Sequence, residues 1–263
     1  MALMRDRCIC LRKVEYSETS QILALFSREH GLLRLIAKGA HRRTKAGASK
    51  FDGGVDLLDV GDAVFSHSPE RDLCPLTEWH LSEGHLGLRR NLRAVYLGLY
   101  AAELVSMLIE EHDAHPELFD QLEQTLRQLA TPRLEEAFLA FELDLLREVG
   151  YLPEFSACTL CGRGVGDLDR AYFSAARSGV VCRNCETSAP DRIEIDARLL
   201  RMLQQILSAP RDNGSIDRLP RLTRHQTDPI NHLLAEHVEH TLSRRLRMPG
   251  YILKSNGTPN LVR

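Results

Sequence analysis

Four cysteines constrain this chain more than any other feature. Cys158-Thr159-Leu160-Cys161 and Cys182-Arg183-Asn184-Cys185 form C-x2-C-x20-C-x2-C, the upper edge of the spacing at which two turns present four thiolates to one metal ion. Two residues between thiolates let one tight turn aim both sulfurs at a single point, and Gly162, directly after Cys161, supplies the permissive backbone such a turn uses. The stretch between the pairs holds Gly164, Gly166 and a short run from Arg170 to Phe173. That is enough for a turn and a strand but has too little apolar surface to hold itself, so metal is expected to stand in for a core. Zinc is the expected ion, with iron an occasional substitute. The competing reading is two unrelated pairs of buried or redox cysteines; a thioredoxin-like pair, however, needs a βαβ unit beside it, and none is legible. Four sulfurs leave no open coordination position for water, which makes the expected site structural. Cys8, Cys10 and Cys74 lie outside the set and read as small core residues.

Cysteines used this way belong in a reducing compartment. Arg5, Asp6 and Arg7 stand where a secretory signal would need its apolar run. The most apolar stretch, Ala94 to Ile109, is interrupted by Gly98 and Glu103 and falls short of the roughly 18 residues a membrane span requires. The expectation is a cytoplasmic protein. With 263 residues, 43% hydrophobic and 27% charged, the chain has material for one large or two modest domains.

The first 80 residues read as short strands: Cys8 to Val14, Ser20 to Phe26, Leu32 to Ala37, Val55 to Leu58 and Asp62 to Ser66. About five such strands predict a small barrel. Glu29, His30 and Gly31 make a hairpin turn, whereas His41 to Gly54 is a long connection rich in Gly, Lys and Ser. From about Leu88 the period becomes helical, with helices expected over Leu92 to Ile109, Pro116 to Leu129 and Leu134 to Val149. The last carries an apolar stripe, Leu134, Phe138, Phe141 and Leu145, between a Thr131-Pro132 start and a Gly150 stop. Asp196 to Ser208 and Asp228 to Leu246 are two further amphipathic helices, the second opened by Asp228 and Pro229. The tail beyond Met248 is expected to be loosely ordered.

Signals for catalysis are weak. No phosphate-cradling G-x-x-x-x-G-K-[ST] occurs, and Gly162, Gly164 and Gly166 lack the strand and helix of a dinucleotide site. His232 and His237 are five residues apart, about 140° on a helix, so they do not share a metal readily. Glu135, Glu136, Glu142 and Asp144 read as a solvated helix face, like Glu110, Glu111 and Asp113. No nucleophile has a paired base, and no enzymatic activity is expected.

Charge is the more informative signal. The net charge is −2, but residues 1–80 carry +1, 81–157 carry −8 and 158–263 carry +5. Between residues 28 and 50, seven cations (Arg28, Arg34, Lys38, Arg42, Arg43, Lys45 and Lys50) face one acid, Glu29. A cationic window on a long connection of a small β-domain suits a nucleic-acid backbone, because each Lys or Arg meeting a phosphate releases a counterion. Of the 15 aromatic residues, Tyr16, Phe26 and Phe51 are close enough in sequence to offer stacking to an unpaired base.

Taken in order, these residues resemble the bacterial RecO recombination mediators over nearly the whole chain. Val14-Glu15-Tyr16-Ser17-Glu18-Thr19-Ser20, Leu25-Phe26-Ser27, Gly31, then Ala37-Lys38-Gly39-Ala40 with Arg42 and Arg43 look like that family's barrel. Leu118-Phe119, Phe141-Glu142-Leu143, Leu145-Leu146, and Gly150-Tyr151-Leu152-Pro153 running into Cys158-x2-Cys161-Gly162 are similar to its helical domain. Two departures are His41 between Ala40 and Arg42, and Ser178-Gly179-Val180-Val181 where the family commonly has a double glycine.

The resemblance implies an α+β protein: a five-stranded OB-fold barrel over 1–80, an all-helical domain over 81–248 with a four-cysteine zinc-binding insertion at about 155–190, and a tail, 249–263. It implies binding of single- and double-stranded DNA, strand annealing, and action with the partner RecR to load the recombinase RecA onto DNA coated by single-strand-binding protein. The acidic C-terminal tail of that protein is a further implied partner, and by charge it is expected near the +5 segment. The expected DNA contacts are Arg34, Lys38, Arg42, Arg43, Lys45 and Lys50, and the expected ligands of a structural zinc are Cys158, Cys161, Cys182 and Cys185. A different class of reading is a zinc-containing transcription regulator that reads duplex DNA through late basic helices bearing Arg244, Arg245 and Arg247; a third is a metal-dependent hydrolase.

Overall fold

The structure, a computed structural model, describes residues 3–41, 50–51, 53–66, 72–166, 170–209 and 215–253. The chain divides into two compact units, Met1–Leu134 and Glu135–Arg263.

The first unit is built on a closed barrel of β1 (Leu3–Ser17), β2 (Ser20–Ser27), β3 (Gly31–Ala37), β4 (Val60–Ser66) and β5 (Cys74–Glu83), ordered β1-β2-β3-β5-β4 with β4 returning to β1. All neighbours are antiparallel except β3 and β5, which are parallel. This is the five-stranded Greek-key arrangement of an OB-fold. Alternation fills it: Cys8 and Cys10, Leu23 and Leu25, Leu33 and Leu35, Ala63 and Phe65 point inward at every second position. Burial raises the Cys8 thiol well above its ordinary range, as befits a core residue. Leu11 is an extra residue between the pairs Cys10–Leu25 and Arg12–Ala24, a bulge that lets the long β1 bend around the barrel and pair on both sides.

The fifth strand is not where the sequence suggests. Val55 to Leu58 is turn and coil, with Val55 and Leu58 buried and Leu58 at φ +66°. Its place is taken by Cys74–Glu83. There Phe65 pairs with Leu76 and Val64 with Glu78, so Thr77 is an extra residue and the inward positions run Cys74, Leu76, Trp79. The bulge breaks the period of two, and Pro75 argues against a strand.

Two helices complete this unit. α1 (Leu92–Leu108) starts at Asn91, whose side chain accepts from the N–H groups of Arg93 and Ala94, and α2 (Pro116–Gln128) starts on a proline. α2 is tied to the barrel: the Arg7 guanidinium donates twice to Glu123 (3.0 and 2.7 Å), Arg28 donates twice to Asp120 (2.9 and 2.8 Å), and Phe26 packs on Phe119 at 5.7 Å. The Arg7 hydrogen bond holds the buried Glu123 carboxyl below the usual carboxylate range.

In the second unit α3 (Leu134–Glu148) is buried nearly all round rather than on one stripe. Glu136 and Glu142, expected on a solvated face, are 1% and 0% exposed; Glu136 accepts the Leu222 N–H at 3.1 Å, and Glu135 accepts the Thr227 hydroxyl at 2.6 Å. Gly150 (φ +75°) ends the helix, with the N–H of Tyr151 reaching Leu146 O and that of Gly150 reaching Arg147 O, the Schellman pattern. A three-stranded sheet, β7-β6-β8, follows from β6 (Ala171–Ser174), β7 (Gly179–Cys182) and β8 (Ile193–Ile195), and then α4 (Ala197–Ser208), α5 (Arg224–Leu242) and α6 (Pro249–Ile252).

α5 begins one turn before the predicted start, with the Gln226 side chain accepting the Thr223 N–H at 2.9 Å, and Pro229 lies inside it. It ends at Leu242 with Ser243 left-handed at φ +51°. The segment after Met248, expected to be loose, forms the α6 turn; residues 254–263 lie outside the described residues. Among the described residues no helix is long and apolar enough to cross a membrane.

Candidate metal centre and cationic barrel cleft

The four cysteines of the second unit converge. Cys158 and Cys161 sit in a turn closed by Gly162 N–H donating to Cys158 O and Cys158 N–H to Arg163 O, both 2.8 Å, with Gly162 at φ +72°. Cys182 ends β7, and Cys185 lies in the 3-10 turn that follows. The turn is sewn to β7 by Thr159 N–H to Val180 O (3.0 Å) and Val180 N–H to Glu154 O (2.8 Å). All four Sγ atoms lie within 4.8 Å of one another. Two thiolates at about 2.3 Å from a tetrahedral zinc are about 3.8 Å apart, and Cys161 Sγ to Cys182 Sγ is 3.7 Å.

The electrostatics agree with a shared cation. Burial pushes the Cys158 thiol up, but the backbone N–H groups of Cys182, Leu160 and Cys161 outweigh it and bring it to about 6. Burial and then the other three sulfurs push Cys185 up to about 12. One sulfur in the set thus ionises easily and another resists, which is the conflict that a divalent cation among four thiolates removes. The residues present fit such an ion.

The module differs from expectation in having a core of its own. Phe155 and Phe173 stack at 5.9 Å, and Val165, Ala171, Val180, Val181 and Ala189 are all buried. Phe173 meets the buried His237 of α5 edge-on at 6.2 Å, and His237 Nε2–H donates to Tyr151 O at 2.9 Å. Sulfur chemistry marks the site in sequence, but these contacts, spread from residue 155 to residue 237, do not.

In the first unit the cations separate into two kinds. Arg5, Arg7 and Arg28 are held by Asp62, Glu123 and Asp120. Lys38 and Lys50 line a cleft of about 430 Å3 together with Tyr16, Ser20, Ile36 and Phe51, and neither has an ion-pair partner among the described residues. The Lys50 backbone is fixed by accepting the Trp79 N–H at 2.8 Å. Arg34 stands apart from this cleft, 4.0 Å from Glu111. Arg42, Arg43 and Lys45 lie outside the described residues.

Of the three aromatics expected to offer stacking, only Tyr16 is available, at 66% exposed. Phe26 and Phe51 are core side chains, 0% and 4% exposed: Phe26 lies on the face of β2 opposite to that of Leu23 and Leu25 and is covered by Phe119 of α2, and Phe51, in a turn, joins the barrel core. Missed by sequence reasoning is the outward face beside the cleft, where Val14 pairs with Ile22 and Ile22 with Ile36, flanked by the row Arg12, Ala24, Arg34. Strand pairing was the signal needed, and one sequence does not give register.

An OB barrel with an open cationic cleft, followed by a second unit carrying a four-cysteine centre, defines the class of protein. Residues 1–85 match the family described as Recombination protein O N terminal and residues 89–248 that described as Recombination protein O C terminal. The chain belongs to the RecO family. It is 35% identical over 204 residues to the DNA repair protein RecO of Rhodopirellula baltica (77% of this chain, 74% of that protein). It is 30% identical over 243 residues to the DNA repair protein RecO of Myxococcus xanthus (92% and 93%). The same identity holds over 240 residues to that of an Anaeromyxobacter species (90% and 91%).

Proposed function

We propose that this chain is a DNA-binding and strand-annealing mediator of recombinational repair, without enzymatic turnover. In this reading the barrel domain, 1–80, tracks sugar-phosphate backbones with Arg34, Lys38, Arg42, Arg43, Lys45 and Lys50. The helical domain, 81–248, is braced by a structural zinc on Cys158, Cys161, Cys182 and Cys185. Together with RecR the protein loads recombinase onto DNA coated by single-strand-binding protein, whose acidic tail is a further partner, and it works in the cytoplasm on the nucleoid. The observation that carries the reading is the cleft in which Lys38 and Lys50, with no ion-pair partner among the described residues, flank the exposed Tyr16 on an OB barrel of this family. Two strands whose charge is neutralised side by side meet more readily, which is what annealing requires.

The competing duplex-reading regulator is disfavoured, since Arg244, Arg245 and Arg247 fall after the end of α5 and not on a helix that a groove can accept. The deciding experiment is annealing of complementary strands coated with single-strand-binding protein, comparing the natural chain with one in which Lys38, Arg42 and Arg43 are changed to Glu. The variant is expected to anneal slowly; equal rates exclude the mediator reading.

A further inference from the structure

We infer that His41 is a positioning residue of the cleft: it clasps Glu15 on β1 to Gly53, joining the three chain segments that supply Tyr16, Lys38 and Lys50. The inference rests on the cleft being the nucleic-acid contact proposed above. His41 Nε2 lies 3.1 Å from Glu15 Oε2, and its Nδ1 lies 3.2 Å from the Gly53 carbonyl oxygen. Both partners are acceptors. A neutral imidazole carries one N–H and satisfies one of them; only the imidazolium donates to both.

The neighbours make this more than a surface ion pair. The other Glu15 oxygen accepts from Gln21 Nε2 at 3.0 Å. Gln21 is buried, donates to Val55 O at 3.2 Å and accepts the Val55 N–H at 3.0 Å. The returning end of the connection is thus bound to β2 by Gln21 and to the departing end by His41. A Cβ on Gly54 would lie 2.8 Å from His41 Cε1, so the ring packs against this backbone. Among the described residues, the charged groups facing His41 are Glu15 and Lys13, both on β1; Lys13 opposes the imidazolium but is paired with Asp56 at 2.8 Å. Among the described residues, β2 contributes the neutral Gln21 amide and the returning connection the Gly53 carbonyl.

The Glu15 hydrogen bond, and then the Gly53 one, raise the His41 pKa above the ordinary imidazole value. The sign follows: the clasp is complete below pH of about 6.5 and is lost as pH rises through the raised folded-state value. The Glu15 carboxyl, lowered first by Gln21 and then by His41, stays ionised across that range.

The test is binding of fluorescent oligo-dT to the full chain at fixed ionic strength, from pH 5.5 to 8.5. The natural chain is expected to lose about three- to tenfold in affinity across His41 titration, the net worth of one hydrogen bond at an exposed site. His41→Ala is expected to hold the weaker affinity throughout, with a flattened profile. Glu15→Gln separates positioning from simple charge: removing an anion strengthens phosphate binding if only charge matters, whereas loss of the clasp weakens it below pH 7 and moves the midpoint down. An unaltered profile in His41→Ala, or tighter binding by Glu15→Gln, overturns the inference. If the natural chain binds no oligo-dT at any pH, the nucleic-acid reading fails instead. The clasp is then judged by the His41 ring alone, whose NMR titration midpoint must exceed 6.5 and fall in Glu15→Gln. A midpoint at or below that value in the natural chain overturns it even where a variant fails to fold.

Discussion

Truncating Lys38 and Lys50 together to Ala tests whether the cleft meets phosphates, and the structure fixes the size of the effect. Neither ammonium has an ion-pair partner among the described residues, so each phosphate contact releases a counterion without first breaking a protein ion pair. For single-stranded nucleic acid each such contact contributes about 0.7 to the slope of log affinity against log salt, so the double variant loses about 1.4. Between 50 and 200 mM salt the natural chain is therefore expected to lose about sevenfold more affinity than the variant, whatever its other contacts contribute. Arg28→Ala is the matched control: its guanidinium is engaged by Asp120 and Glu29, and the slope is expected to stay within about 0.3 of the natural value. The measurement is fluorescence anisotropy of an oligo-dT strand at four or more salt concentrations, with circular dichroism to confirm folding. Both side chains lie on the surface of the cleft, and the Lys50 backbone bond from Trp79 does not involve its side chain, so stability is expected to be unchanged. Affinity that drops equally at every salt concentration, leaving the slope intact, refutes phosphate contact at these residues.

Cys182→Ser is expected to abolish stoichiometric metal binding, read by elemental analysis, and to lower the melting temperature. It is expected to leave β6 and β7 protected from hydrogen exchange, because Phe155, Phe173, Val180 and Val181 form an apolar core around the sulfurs. Complete exchange throughout 171–182 would show that metal alone holds the module. Ser178 occupies a left-handed position at φ +51°, so Ser178→Gly is expected to stabilise the chain by about 0.5–1 kcal/mol in urea unfolding. Gly150→Ala, at φ +75° with nothing within 4 Å of the added Cβ, is expected to cost about 1 kcal/mol from backbone conformation alone.

What could be read from sequence followed from chemistry that is local. The C-x2-C pairs announce themselves because two-residue spacing is itself the turn geometry, and β2 and β3 do so because Leu23 and Leu25, and Leu33 and Leu35, fall at alternate positions. β5 was hidden because its bulge at Thr77 and the proline at 75 break both signals at once. The buried Glu136 was hidden for a different reason: a carboxylate looks like a surface residue until the Leu222 N–H, 86 positions away, arrives to meet it. Phe26 shows the same limit, since the partner that covers its face of β2, Phe119, lies 93 positions away on α2.

That division explains why the two candidate sites were unequally legible. A metal centre is specified by its ligands, and four sulfurs at fixed spacing carry nearly all the information, so the structure added only the apolar frame around them. A phosphate-binding cleft is specified by what its cations are not doing. Arg5, Arg7, Arg28, Lys38 and Lys50 are interchangeable in a charge count, yet Asp62, Glu123 and Asp120 withdraw the first three, and no ion pair among the described residues engages the last two. The acids that make the selection come from β4 and α2, more than 50 residues away in sequence from the cations they hold. Net charge therefore locates such a site to within a domain, and the placement of the counter-charges narrows it to a face.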